Sequence, residues 1–168
     1  MSAPNTPTVG ATETPSPSND LPGTVTRVDV RGPRFVAWIT TAVLAAAIVV
    51  ASFSPVVAGI VLALQAVVFA IGAALGPHRG PYGRVFRALV VPRLTPVTET
   101  EPVAPLRFAQ TVGFVFAAVG AIAMLAGVVA VGFVAAGFAL FAALLNAAFG
   151  FCLGCTIYPL VLRLRPAH

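Results

Sequence analysis

Lysine is absent from this 168-residue chain, and only five residues are acidic: Glu13, Asp20, Asp29, Glu99 and Glu101. Charged residues make up 9% of the sequence, against about 25% in a typical soluble domain. With 58% hydrophobic residues and a mean hydropathy of +0.97, the chain cannot shield its apolar surface from water. Soluble classes are therefore excluded. The fifteen Gly and fifteen Pro do not argue for disorder, because the apolar residues come in long blocks. Missing too are a Walker A loop, a G-x-S-x-G elbow, an H-E-x-x-H pair and paired intramembrane carboxylates. No cofactor is expected.

What is present is arginine, ten residues in all, which brings the isoelectric point to about 10.6. The arginines flank apolar blocks rather than forming one stripe, so nucleic acid is not an expected partner. Residues 35–78 and 108–162 carry no Asp, Glu, Lys or Arg, runs of 44 and 55 residues. A spanning helix needs about 20 apolar residues, so each run holds two. The chain is expected to be an all-α integral membrane protein of four helices in two hairpins. The spans fall at about 35–53, 55–75, 108–126 and 130–151. Ser54-Pro55 supplies the first turn, with Pro at a helix start, and Gly127 lies near the second.

Four spans put both termini and the 76–107 loop on one side. All ten arginines (27, 31, 34, 79, 84, 87, 93, 107, 163 and 165) fall there, and the positive-inside rule makes that side cytoplasmic. Residues 1–26 are rich in Ser, Thr, Pro and Asn and are expected to be a disordered cytoplasmic tail; residues 27–165 form the membrane domain. Within the loop, Tyr82, Val85, Phe86 and Leu89 recur at helical spacing with Arg84 and Arg87 between them. That pattern predicts a short helix in the headgroup layer, ended by Pro92 and followed by an extended linker over 92–105.

Arg34-Phe35 and Arg107-Phe108 open the two hairpins, and residues 73–80 align with 147–154, at offsets of 73 and 74. The alignment implies two parallel hairpin repeats and pairs His78 with Cys152. Gly113, Gly120 and Gly127, with Gly132, Ala136 and Gly137, are small residues suited to close helix packing. Gln65 and Asn146 are expected to bridge helices, and Thr40, Thr41 and Thr111 to bond back to their own chain. No ionisable side chain falls inside the expected spans, which disfavours ion-coupled transport.

The sharpest motif is Phe151-Cys152-Leu153-Gly154-Cys155, which holds both cysteines. Three readings stay open: a dithiol–disulfide redox pair, half of a metal site that His78 or a second protomer completes, and two small side chains packed at a helix end. At the C-terminal end of span four the helix dipole disfavours a thiolate, unless Gly150 or Gly154 breaks the helix. A permanent disulfide is not expected at a cytoplasmic face. Cys155 follows Gly154 and lies nearer Arg163, so it is expected to alkylate faster than the desolvated Cys152.

Taken together, Val28 to Phe35, the basic loop from Gly76-Pro77 to Pro92-Arg93-Leu94, and the cysteine motif resemble a family of small bacterial membrane proteins catalogued as domain of unknown function 4395. The resemblance covers about 28–165. It implies a multi-span protein of the bacterial inner membrane and singles out the cysteines, but transfers no substrate or cofactor. Family members are encountered near thioredoxin-like and sulfurtransferase genes. Expected partners are the bilayer, such a redox protein and a second copy of the chain; a non-enzymatic membrane scaffold is the alternative.

Overall fold

The computed structural model describes residues 26–94 and 99–164. The expected tail over 1–26 falls outside them except for Thr26, and so does Arg165. Four helices are long and apolar enough to cross a membrane: α1 (Arg31–Ala51), α2 (Pro55–Leu75), α4 (Val103–Leu125) and α5 (Val129–Phe149). Between the hairpins lie α3 (Pro81–Leu89) and a 3-10 turn (Val91–Arg93); α6 (Leu153–Leu164) follows α5. The hairpin turns at 52–54 and 126–128 lie at one end, and the described arginines belong to the segments at the other.

Two helix starts differ from expectation. α1 and α4 begin four to five residues early, which brings Arg31, Arg34 and Arg107 into helical turns. Arg107 explains its own inclusion: its Nε and Nη2 donate to the carbonyls of Ala73 and Ala74 at 2.6 and 2.8 Å. Those carbonyls lie in the last turn of α2 and have no intrahelical donor. The start of α2 matches expectation, because the Ser54 hydroxyl accepts the Val57 N–H ahead of Pro55.

The 92–105 stretch is not a plain linker. A strand β2 (Thr100–Pro102) pairs antiparallel with β1 (Arg27–Asp29), Val28 opposite Glu101. Arg27 locks the pair by donating to the Thr100 hydroxyl and carbonyl at 2.8 and 2.7 Å. The ribbon ties the lead-in of α1 to that of α4.

Each hairpin half then follows the same plan. Glycines with positive φ, Gly76 (87°) and Gly150 (68°), end α2 and α5, where a left-handed residue without Cβ stops a helix at little cost. A short helix follows and returns onto the first helix of its own hairpin. Phe35 meets Phe86 at 5.4 Å between ring centroids, and Phe108 meets Tyr158 at 5.9 Å. These pairs are related by offsets of 73 and 72, close to the 73 and 74 read from the sequence.

Across the hairpins, α2 packs on α4 and α5 on α1. The α2–α4 seam is set by glycine. A Cβ on Gly59 would lie 2.8 Å from Leu125, one on Gly72 2.8 Å from Gln110, and one on Gly113 2.8 Å from Phe69. Two expected packing glycines play no such part: Gly127 makes the turn at φ 79° and Gly137 meets nothing within 4 Å. Leu44, Leu62 and Met124 fill the centre, while Trp38, Ile60, Leu64 and Ile122 point outward, as lipid-facing residues do.

A leucine at Gly113 must push the Phe69 ring aside. Gly113→Leu is expected to cost about 1–3 kcal/mol, read as a lower thermal unfolding temperature of the full chain in detergent. Gly137→Leu is the control and should stay within about 0.5 kcal/mol of the parent.

Candidate functional site

Gly150 ends α5, and its N–H and that of Phe151 bond back to the carbonyls of Asn146 and Leu145. The chain restarts immediately. The Thr156 N–H reaches the Cys152 carbonyl at 3.1 Å, the first hydrogen bond of α6, and the Cys152 Sγ accepts the Cys155 N–H at 3.3 Å. Cys152 therefore caps the N-terminus of α6 with its sulfur. The expected placement at a helix C-terminus is corrected: the break at Gly150 gives the cysteines the positive end of a new dipole.

Cys152 and Cys155 are bonded to each other, with their Cα atoms 5.2 Å apart. Gly154 does not loosen the motif. It is buried in α6, where a Cβ would come within 2.6 Å of Ala109 of α4. With Gly154 held rigidly, one of the two grounds for Cys155 as the more activated sulfur, a flexible neighbour, is removed. The carbonyl of Cys155 lacks an i+4 partner, because Pro159 has no N–H to give.

His78 lies elsewhere, its ring beside Gly76 and its backbone against Gly83 of α3. Among the described residues no group of three or more His, Cys, Asp or Glu side chains is placed to hold a metal ion, so His78 does not join the cysteines as a ligand. Its buried Nδ1 has no hydrogen-bond partner among the described residues. Burial first, and then Arg79 and Arg87, hold its pKa below the ordinary 6.5.

The expected short helix of the middle loop is present as α3, and only one of its faces is left outside. Arg84, Val85, Arg87 and Leu89 are exposed, whereas Gly83 and Phe86 are buried on the bundle. Tyr82 reaches inward and donates its hydroxyl to Gln65 Oε1 at 2.9 Å. Gln65, 2% exposed, thus bridges α2 to α3. Thr41 and Thr111 bond back to Ala37 and Arg107 as expected.

Next to the cysteines is a cavity of about 390 Å³ between α1, α4, α5 and α6, within the usual range for a small-molecule site of about 300–1,000 Å³. Cys152, Thr40, Asn146 and Gln110 supply its polar groups, and Phe69, Phe116, Phe138 and Phe141 much of the apolar wall. Gln110 was not among the intramembrane amides singled out from the sequence. It is the third, and it also packs against Gly72. Asn146 therefore lines a cavity instead of simply bridging helices.

The three stretches that resemble the family all lie in one folded unit, and the family model matches residues 28–163. The chain belongs to the DUF4395 family, described as a domain of unknown function. No curated protein and no solved structure matches it. The DUF4395 chain is a small multi-pass membrane protein whose apolar helices suit a lipid bilayer.

Two outcomes follow. With both thiols reduced, Cys155→Ser, which retains Cys152, should react with iodoacetamide about two to five times faster at neutral pH than Cys152→Ser, reflecting the helix N-terminus. Equal rates would remove that effect. His78 should titrate below 6.5 by NMR. Since its folded value is depressed, its contribution to stability is present above 6.5 and is lost as pH falls through the folded value.

Proposed function

We propose that this protein is a membrane-embedded thiol–disulfide couple that exchanges electrons with a thioredoxin-like or sulfurtransferase protein at its arginine-rich face. The observation that carries the reading is the Cys152 sulfur capping α6 within bonding reach of Cys155. In exchange, a partner thiolate attacks Cys155 Sγ and the Cys152 sulfur departs. A helix N-terminus stabilises the departing thiolate, and the better leaving group leaves faster. The partner's second thiol then closes its own disulfide and releases Cys155.

We take the arginine-rich face to be the cytoplasmic face of a bacterial inner membrane, with both termini on that side. Exposed Arg79, Arg84, Arg87, Arg93 and Arg163 present positive charge to anionic lipid headgroups and to an acidic partner surface.

The test uses the oxidised full-length protein and a thioredoxin variant lacking its resolving cysteine. A mixed disulfide mapped to Cys155 by mass spectrometry is expected. Absence of any adduct, with the Cys152–Cys155 bond intact, would overturn the exchange reading and leave a scaffold whose cysteines merely staple α6.

A further inference from the structure

We propose that the cavity beside Cys152 binds the ring of an isoprenoid quinone and that the quinone takes the electrons of the Cys152–Cys155 dithiol. The inference rests on the thiol-exchange reading and adds a membrane-side acceptor.

The cavity's chemistry selects the ligand. Among the described residues no charged side chain lines it, so a charged headgroup would be buried there without a counter-ion among them. Its polar groups are neutral, and the amides of Gln110 and Asn146 offer N–H donors. Among the described residues neither amide makes a side-chain hydrogen bond. Two donors suit the two carbonyl oxygens of a quinone. Phe138, Phe141 and Ile157 line the cavity and are also exposed on α5 and α6, which puts apolar surface at its rim for a prenyl tail. A neutral lipid would share these features. The sulfur in the wall distinguishes a redox-active ligand, because Cys152 lines the cavity and Cys155 does not. Each sulfur thus has its own side: Cys155 for the protein partner and Cys152 for the ring.

The Cys152 thiolate adds its electron pair to a ring carbon, forming a C–S bond. The Cys155 thiolate attacks Cys152 Sγ; the S–S bond forms and the C–S bond breaks. The pair stays on the ring, whose two oxygens take up the two protons lost by the thiols. The dithiol is oxidised to the disulfide and the quinone is reduced to the quinol. The exchange partner restores the dithiol.

The test uses the full-length protein reduced with dithiothreitol, desalted and mixed with decylubiquinone. One quinol per disulfide formed is expected, followed by loss of quinone absorbance and by thiol titration. Gln110→Leu and Asn146→Leu should each slow the reaction about five- to tenfold at subsaturating quinone, the size of one lost hydrogen bond. Ala142→Phe should fill the cavity and stop it. All three should keep the thioredoxin adduct, which also shows that they fold. A dithiol that quinone leaves reduced, in protein that still forms the adduct, overturns the quinone proposal alone. Wild-type rates in all three variants overturn it as well, by placing the reaction elsewhere. A dithiol inert to quinone, in protein whose disulfide is also inert to the thioredoxin variant, overturns the exchange reading too.

Discussion

The seam between α2 and α4 governs the rest of the fold. In a bilayer no hydrophobic effect drives one apolar helix against another, so close van der Waals contact must do the work. Gly59, Gly72 and Gly113 each leave a space that one side chain of the facing helix occupies. Because α2 and α4 belong to different hairpins, this contact joins the two halves of the chain. Arg107 extends the join past the end of α2 by taking up the Ala73 and Ala74 carbonyls, and the β1–β2 ribbon closes it from outside the bundle.

The two halves share a plan but differ where it matters. In the first, Tyr82 of α3 enters the bundle and bonds to Gln65, leaving a space there of only about 10 Å³. In the register that pairs Phe86 with Tyr158, Tyr82 corresponds to Gly154, and in the one that pairs Gly76 with Gly150, Gln65 corresponds to Ala139. A glycine stands where the aromatic plug would be and a methyl group where its hydrogen-bond acceptor would be, and both residues line the cavity. The second half accordingly keeps the 390 Å³ cavity that the first half fills. The pairing of His78 with Cys152 is one of sequence register and not of chemistry, since the His78 ring packs beside Gly76.

The hairpins were legible because charge-free runs of 44 and 55 residues admit few other solutions, and Ser54-Pro55 marks a helix start without ambiguity. The ribbon was not legible, as two three-residue strands 73 positions apart carry no periodicity to detect. α6 was hidden by contradictory local signals: Gly154 and Pro159 both argue against a helix, yet Gly154 is there to approach Ala109, and Pro159 costs one hydrogen bond, to the Cys155 carbonyl. Gln110 sat unnoticed in the run that made span three easy to count. Its meaning depends on Gly72 and the cavity, which are tertiary facts. The cysteine motif stood out from the start, but its electrostatic sign turned on whether the helix stopped at Gly150.

That sign has a further contributor. Cys152 lies between two helix ends of opposite polarity, the carbonyls closing α5 and the N–H groups opening α6. The first would oppose a thiolate. Gly150 bends the chain so that its own N–H and that of Phe151 occupy the Asn146 and Leu145 carbonyls. A Cβ at Gly150 would lie 3.8 Å from Arg34 Cζ, so the guanidinium sits over the same end of α5. Arg34 thus brings a cation near the C-terminus of α5, as its repeat equivalent Arg107 does at α2 by direct hydrogen bonds. With the negative end of α5 offset in this way, less of its field opposes that of the α6 N-terminus at Cys152. An arginine that opens the first hairpin thereby comes to lie at the glycine that starts the cysteine motif of the second.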